Sequence, residues 1–152
     1  KPPEEIKALA AEDIIFTGFV EDLTPFLDKL RVSVAPLRYG AGIKGKIGTA
    51  MSVGLPVVAT SLAAEGMSLT DDENILVADG EEAFADAIAR LYQDEALWIR
   101  ISENGLLFAE QAWAAEAGWK TLAEILHEIG FTIPRGNWPL TLYQSGSTIH
   151  QT

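Results

Sequence analysis

Short apolar runs rich in β-branched residues alternate with helical patterns along the chain, and this alternation constrains the fold more than any other feature. The runs read IIFT, RVSVAP, PVVAT and ILVA, at residues 14–17, 31–36, 56–60 and 75–78. Unbroken apolar runs such as PVVAT are typical of strands that are buried on both faces of a sheet. Strands that alternate with helices form βαβ units. The sequence therefore predicts an α/β fold of three layers, in which helices cover both faces of a parallel sheet.

Amphipathic periodicity places the helices between and after these strands. Helices are predicted at residues 22–30, 43–53, 81–92, 95–112 and 115–129. The apolar face of the second one consists of Ile43, Ile47, Ala50 and Met51. Gly54 follows in the position where a glycine commonly ends a helix. The last three helices come one after another, which predicts a helical C-terminal part.

The composition excludes several classes of function. The chain of 152 residues carries a formal net charge of −11, so nucleic acid, whose phosphates need a basic surface, is not an expected partner. The absence of cysteine excludes disulfides and thiolate metal sites. The two histidines, His127 and His150, cannot form a metal site by themselves. We expect no metal in this domain.

The length of the chain favours one folded domain. We expect this domain to span residues 1–131, and residues 132–152 to form a loose C-terminal tail. The start, KPPEEIKALAAED, lacks the apolar segment of a signal peptide, and no stretch is long enough to span a membrane. A cytoplasmic protein is expected, with no membrane contact from this domain. The same start is typical of the interior of a longer protein, so we expect the sequence to be a fragment.

A glycine-rich turn with two lysines, RYGAGIKGK at residues 38–46, follows the second predicted strand. In open parallel sheets, ligands bind outside the carboxyl ends of the strands, which is where this turn lies. Gly40 and Gly42 let a ligand approach the backbone closely, and the free N–H groups of a helix start attract anions. Lys44 and Lys46 add positive charge that the helix dipole alone does not favour. These features indicate a phosphate or diphosphate site.

Two interpretations of the turn remain open from the residues alone. In the first, Gly42, Lys46 and Thr49 lie on one stripe beside the apolar face of the helix and follow a bound ligand away from the helix start. In the second, the two lysines only make an exposed helix start soluble, and the glycines are ordinary turn residues. The interpretations differ in whether an anion rests on the turn.

The run FTGFVEDLTPFLDKLRVSVAPLRYGAGIKGKIGTAMSVGLPVVATSLAAEGM, at residues 16–67, resembles the carboxyl-terminal domain of group 1 glycosyltransferases. The combination of GAGIKGKI, AMSVGLPVVAT and AAEGM carries the resemblance, which continues through ENILVADGEEAFADAIARLYQDEALW and covers roughly residues 13–129. It implies the GT-B architecture of two Rossmann-like domains that face each other across a cleft. The present chain would be the second domain, which binds the nucleotide-sugar donor.

The resemblance also implies which residues touch the donor. The donor phosphates are expected on the glycine-rich turn, at Gly40, Ala41, Gly42, Ile43, Lys44 and Lys46. The base is expected against the segment that follows the first predicted strand, at Gly18, Phe19 and Val20. The backbone amides of the turn and the backbone of the second segment would make these contacts.

Two positions depart from the family pattern, and the second matters more. The family usually carries two glutamates eight positions apart, the first on the sugar and the second on the ribose, and the matching positions here are Ala41 and Thr49. A carboxylate accepts hydrogen bonds from two ribose hydroxyls with charge assistance, whereas threonine makes a weaker, neutral one. Thr49 therefore predicts looser ribose binding, an altered donor or a protein without turnover.

Three functions follow from the resemblance and this departure. The first is the donor-binding domain of a glycosyltransferase that moves a sugar from a nucleotide-sugar to an acceptor with retention of configuration. The second is a non-catalytic nucleotide-sugar-binding or regulatory module, and the third is a nucleotide-sugar epimerase. For the first, the expected partner is an N-terminal acceptor-binding domain of the same protein, and the full protein would work in the cytoplasm or at the inner membrane face. No cofactor beyond the nucleotide-sugar substrate is expected, and no catalytic residue can be named. The fragment is expected to be inactive alone, because the acceptor-binding domain and the first strand of the donor domain are both missing from it.

Further residues are candidates for the cleft because they follow strands. Arg38 and Tyr39 precede the first glycine of the turn, and Glu65 follows the third predicted strand. Arg38 and Tyr39 are placed to touch phosphate or sugar, and Tyr39 fits a packing role equally well. Glu65 fits either the cleft wall or an ordinary loop carboxylate.

Other conspicuous side chains are expected to serve the fold. Trp113 and Trp119 are predicted to be packing anchors. His127, on a helix far from the turn, is predicted to be structural or solvated. The acidic run at residues 71–73 is predicted to be a solvated loop.

Overall fold

The structure, a computed structural model, describes residues 3–113 and 115–131. Its strands in these residues are β1 (Ser33–Ala35), β2 (Val57–Ala59) and β3 (Leu76–Val77). Its helices there are α1 (Glu4–Lys7), α2 (Thr24–Leu27), α3 (Gly45–Met51), α4 (Ser61–Ala64), α5 (Glu81–Gln93), α6 (Glu95–Trp113) and α7 (Ala115–Glu128). The described residues 3–113 and 115–131 belong to two separate units of the chain. The domain boundary at residue 131 stays a prediction, and the predicted tail, 132–152, lies outside the described residues.

The strands form a parallel sheet in the order β1-β2-β3. Ser33 pairs with Val57 along one side of β2, and Val58 pairs with Leu76 along the other. Because β2 is central, all of its residues are buried. The side chains of β2 alternate between two separate apolar clusters, with Val57 in one and Val58 in the other.

Helices cover both faces of this sheet. One face packs against α3, α4 and the C-terminal half of α6, with the buried cluster Ala35, Ile47, Ala50, Met51, Leu55, Val57, Ala59, Ala63, Met67, Ile75 and Ala109. The other face packs against α5 and the N-terminal half of α6, with the buried cluster Val58, Leu76, Ala87, Leu91, Leu97 and Ile101. The predicted three-layer α/β fold is confirmed.

The predicted strand at residues 14–17 is wrong. Ile14 forms only an isolated antiparallel bridge with Ala11, and residues 15–17 have no secondary structure. Ile15 remains 77% exposed. A β-branched run becomes a strand only beside a neighbour that takes up its backbone hydrogen bonds. No segment among the described residues supplies that neighbour.

The helices around the glycine-rich turn are shorter than their patterns predict. The helix predicted at residues 22–30 is reduced to α2, where the Asp22 carboxylate accepts a hydrogen bond from the N–H of Thr24 at 2.9 Å. α3 begins at Gly45 rather than Ile43, because Gly42 and Lys44 have non-helical backbone angles. Ile43 is therefore 76% exposed, and its predicted place on the buried face is wrong.

The end of α3 and the later helices agree with prediction. Gly54 has a φ of +72°, and beside it the N–H of Leu55 donates to the carbonyl of Ala50 at 3.0 Å, which closes the helix as expected. The helices α5, α6 and α7 match the predicted ranges within one residue. None of the helices in the described part is both long and apolar enough to cross a membrane.

Candidate functional site

Three loops meet at the carboxyl edge of the sheet. β1 leads into residues 36–44, β2 leads into Thr60 and Ser61, and β3 leads into Asp79 and Gly80. Because the strands are parallel, the loops that follow them lie at the same edge, which is the usual place of a ligand in such a fold. The glycine-rich turn belongs to the first of these loops.

The backbone of the glycine-rich turn is open. Gly40 and Gly42 have φ angles of +127° and +83°, which side chains rarely adopt. A Cβ atom added at either position would meet nothing within 4 Å. Ala41, Gly42 and Ile43 are all exposed. The space where a side chain would stand at these two glycines is therefore open.

The two lysines of the turn are placed differently. Lys44 is the residue before α3, and its ammonium donates a hydrogen bond back to the carbonyl of Gly42. Lys46 lies exposed in the first turn of α3, which contains no acidic residue. Lys46 forms no ion pair with a described residue. The turn thus carries positive charge that described acidic side chains do not neutralise.

The predicted stripe of Gly42, Lys46 and Thr49 is only partly helical. Gly42 precedes the start of α3 by three residues, so helical geometry does not extend to it. Lys46 and Thr49 are both exposed on α3. The carbonyl of Thr49 accepts a hydrogen bond from the hydroxyl of Ser52 at 2.9 Å. The prediction holds for the two helical residues and is wrong for Gly42.

The predicted base-binding residues lie on an extended segment that is not a strand. Gly18 has a φ of +69°, Phe19 is 93% exposed, and Val20 is half-buried. Tyr39 is 87% exposed, so it does not pack in the core. Glu65, exposed, ends α4. The structure keeps these residues free of the core, and their part in ligand binding stays a prediction.

A cleft of about 470 Å³ opens at the same edge of the sheet, on the side of α5. It is lined by Pro36, Arg38, Thr60, Gly80, Glu81, Phe84, Ala85 and Ile88. Arg38, which the sequence marks as a cleft candidate, lies on its wall. The loops after β2 and β3 also line the cleft. The sequence does not predict this, because these loops are distant from Arg38 along the chain.

Hydrogen bonds join the three loops to one another. The Thr60 hydroxyl donates to the carbonyl of Leu37 at 2.7 Å and accepts from the N–H of Ala63 at 3.2 Å. The N–H of Ser61 donates to the Asp79 carboxylate at 3.0 Å, and the Ser61 hydroxyl donates to the other oxygen of that carboxylate. Donation from the Ser61 hydroxyl, followed by that from its amide, holds the pKa of Asp79 below its ordinary value of 3.8.

Because of the hydrogen bonds between Ser61 and Asp79, we expect the stability of the fold to depend on pH. Because the folded-state pKa of Asp79 is lowered, its contribution to stability is present above the ordinary pKa and is lost as the pH falls through the folded-state value. We therefore expect Asp79→Asn to lower the free energy of unfolding at pH 7, and this difference from wild type to shrink on acidification below pH ~3.8. Urea unfolding at pH 7 and at about pH 3 measures the difference.

A control for this prediction is Asp86→Asn, because Asp86 is exposed on α5 and makes no hydrogen bond to a described residue. We expect Asp86→Asn to change stability equally little at both pH values. A constant loss in Asp79→Asn at all pH values would contradict the assignment.

The remaining sequence predictions have mixed outcomes. Trp113 is a packing residue, edge-to-face with Phe108 at a ring distance of 5.1 Å, whereas Trp119 is half exposed. His127 is exposed, in agreement with a solvated role.

The acidic run at residues 71–73 is exposed but also makes contacts within the fold: the Asp71 carboxylate accepts a hydrogen bond from the N–H of Val77 at 2.7 Å. Its neighbour Asp72 forms ion pairs with Arg90 at 3.4 Å and Arg100 at 3.5 Å.

The layered parallel sheet, with an open glycine-rich turn beyond its carboxyl edge, defines a Rossmann-like α/β domain. The chain belongs to the family of glycosyl transferases group 1, whose family model matches residues 1–94. This match confirms the resemblance on which the sequence interpretation rests.

A solved structure agrees in fold. It is the C-terminal domain of a glycosyl transferase group 1 family protein, LpcC, from Francisella tularensis, with a TM-score of 0.62 and 24% sequence identity. The alignment covers 74% of this chain and 60% of that chain, so the present chain spans less than two thirds of the solved one. None of the curated proteins matches the chain.

Proposed function

We propose that this chain binds the diphosphate of a nucleotide-sugar on the glycine-rich turn, as the donor-binding domain of a glycosyltransferase that retains anomeric configuration. The observation that carries the proposal is the open backbone at Gly40 and Gly42, where nothing lies within 4 Å of a Cβ position. An open backbone with positive φ angles lets phosphate oxygens reach the N–H groups of Ala41, Gly42 and Ile43. Membership of the group 1 family supports a transferase rather than another class of phosphate-binding protein.

The local charge supports an anionic ligand although the chain as a whole is acidic. The net charge is −11, which repels anions at long range. At the turn itself, however, Lys44 and Lys46 supply positive charge, and α3 has no acid in its first turn. Fixed amide dipoles and cations that face a leaving diphosphate stabilise its developing charge in the transition state. The proposal assigns this electrostatic role to the turn and requires no metal ion in this domain.

The ribose is assigned to Thr49 in this proposal. Thr49 is exposed on α3, one helical turn beyond Lys46. A neutral hydroxyl binds ribose hydroxyls more weakly than a carboxylate does, so discrimination between ribose and deoxyribose is expected to be small. The base, on residues 18–20, and the acceptor, on an N-terminal domain of the full protein, complete the proposed arrangement.

A binding titration tests the proposal. We expect the chain to bind uridine, guanosine or adenosine diphosphate in a saturable manner, and the corresponding nucleoside at least tenfold more weakly, because the phosphates supply the charge-assisted hydrogen bonds, each worth about 1.5–3 kcal/mol. Lys46→Gln is expected to weaken diphosphate binding roughly tenfold for the same reason. Isothermal titration calorimetry measures both effects.

The matched control is Lys29→Gln, because Lys29 is also exposed but lies before β1, outside the turn. Equal losses in Lys46→Gln and Lys29→Gln would show that only net charge matters. Binding of the nucleoside as tightly as the diphosphate would contradict a phosphate site. In the protein that includes the acceptor domain, binding without sugar transfer would indicate a regulatory module, and epimerised sugar released without acceptor would indicate an epimerase.

A further inference from the structure

Thr60 ties the chain that leaves β1 to the end of β2. Its hydroxyl donates to the carbonyl of Leu37 at 2.7 Å and accepts from the N–H of Ala63 at 3.2 Å. Its own N–H donates to the carbonyl of Ala35 at 3.3 Å. Thr60 is half-buried, so water competes only partly for these groups. One residue thus holds two successive points of the segment that leads into the glycine-rich turn.

The turn itself has little other support. Among the described residues, 38–43 donate no backbone hydrogen bond to the backbone of any other segment. The carbonyl of Leu37 is the last backbone group before the turn that another segment holds, and the next backbone–backbone bond is accepted by the carbonyl of Lys44 from Ile47 at 2.9 Å. Between them the carbonyl of Gly42 accepts a hydrogen bond from the ammonium of Lys44, a bond within the turn itself. The direction in which the turn leaves the sheet therefore depends on the bond between Thr60 and Leu37.

The neighbouring residue extends this connection to the third strand. Ser61 binds the Asp79 carboxylate through its N–H and its hydroxyl. Asp79 lies in the loop between β3 and α5. Consecutive residues after β2 thus connect the chain after β1 with the chain after β3, so Thr60 is itself held in place.

We propose that Thr60 is a positioning residue of the donor site: its hydroxyl fixes the exit of the glycine-rich turn, so that the amides of residues 41–43 stay directed at the diphosphate. This inference rests on the proposed function of the turn. A hydroxyl oxygen can donate to the Leu37 carbonyl and accept from the Ala63 amide at once. The loss of the hydroxyl leaves the Leu37 carbonyl unpaired, whereas the Ala63 N–H keeps its bond to the Thr60 carbonyl at 2.9 Å. The turn is then free to move before it binds.

Two variants and two measurements test this role. Thr60→Val keeps the shape and removes the hydroxyl, and Thr60→Ser keeps the hydroxyl. We expect Thr60→Val to lower the NMR order parameters of the amides in residues 38–44 while those of α5 and α6 stay unchanged, and to weaken nucleoside diphosphate binding about tenfold. Thr60→Ser is expected to restore both values to near those of wild type.

The control is Thr70→Val, because Thr70 is exposed and its hydroxyl makes no hydrogen bond to a described residue. Unchanged order parameters in Thr60→Val would overturn the inference whatever the affinity does. A looser turn with unchanged affinity would overturn the role in binding. If wild type binds no nucleoside diphosphate, the proposed function fails and Thr60 has no donor to position. The order parameters still show, independently, whether Thr60 holds the turn.

Discussion

Gly42→Val is expected to weaken nucleoside diphosphate binding by about tenfold or more while leaving the fold intact. Gly42 has a φ of +83°, which a β-branched residue does not adopt without strain. The strain is about 1–2 kcal/mol, and the turn relieves it by moving its amides away from the geometry that an anion needs. Open space around the position means that no clash adds to this effect. Calorimetric titration with the diphosphate that wild type prefers measures the loss.

Gly45→Val is the matched control for this prediction. Gly45 lies three residues further on, also has nothing within 4 Å of its Cβ position, and has no positive φ. It is the first residue of α3, where a side chain is tolerated. We expect Gly45→Val to retain most of the affinity, and equal losses in the two variants would contradict a role for the Gly42 backbone.

Met51→Ala is expected to destabilise the protein by about 2–5 kcal/mol, the largest effect on stability that we predict. Met51 is 1% exposed and joins α3 to α6, where its Cε atom would lie 3.5 Å from a Cβ on Gly105. The same Cβ would lie 3.3 Å from the carbonyl oxygen of Asn74, so α6 passes close to the loop before β3. The closely packed backbone around Gly105 cannot collapse into the gap that Met51 leaves, and a cavity results. Urea unfolding followed by circular dichroism measures the loss.

The control for this prediction is Val53→Ala. Val53 lies just beyond α3 and is 49% exposed. A surface substitution of this kind changes stability by about 0.5 kcal/mol or less. Similar losses in Met51→Ala and Val53→Ala would show that α3 is not anchored through Met51.

The sheet and its later helices could be predicted because their signals are local. The run that becomes β2 is apolar at every position, and a strand buried on both faces needs no other signature. α5 carries a regular apolar stripe that includes Ala87 and Leu91, and Gly80, with a φ of +85°, marks its start. The order β1-β2-β3 agrees with the general tendency of consecutive strands to be neighbours in a sheet.

The sequence-based predictions fail where the structure depends on a neighbouring segment or on the backbone angles of single residues. The run at residues 14–17 has the composition of a strand but no neighbour within the described residues, and composition does not report neighbours. The pattern predicts too early a start for α3 because apolar periodicity continues to Ile43, whereas the backbone angles of Gly42 and Lys44 decide the boundary.

The candidate site likewise has one part that the sequence predicts and one part that it does not. The glycine-rich turn is visible in the sequence because its glycines, lysines and position after a strand are local features. The bond from Thr60 to Leu37 spans 23 residues and that from Ser61 to Asp79 spans 18. Threonine and serine after a strand carry no mark of such partners, so only the structure reveals these connections.

The central claim is that an anion rests on the amides of the glycine-rich turn, and it is tested most directly by NMR titration of the ¹⁵N-labelled chain with inorganic pyrophosphate, a probe without base or sugar. Our account predicts that the largest amide shifts occur at Ala41, Gly42 and Ile43, and that the shifts saturate. Shifts centred instead on Arg31, which lies before β1 at the opposite edge of the sheet and stacks on Tyr92 at 5.2 Å, would contradict it. The absence of saturable shifts anywhere in residues 38–46 would contradict it equally.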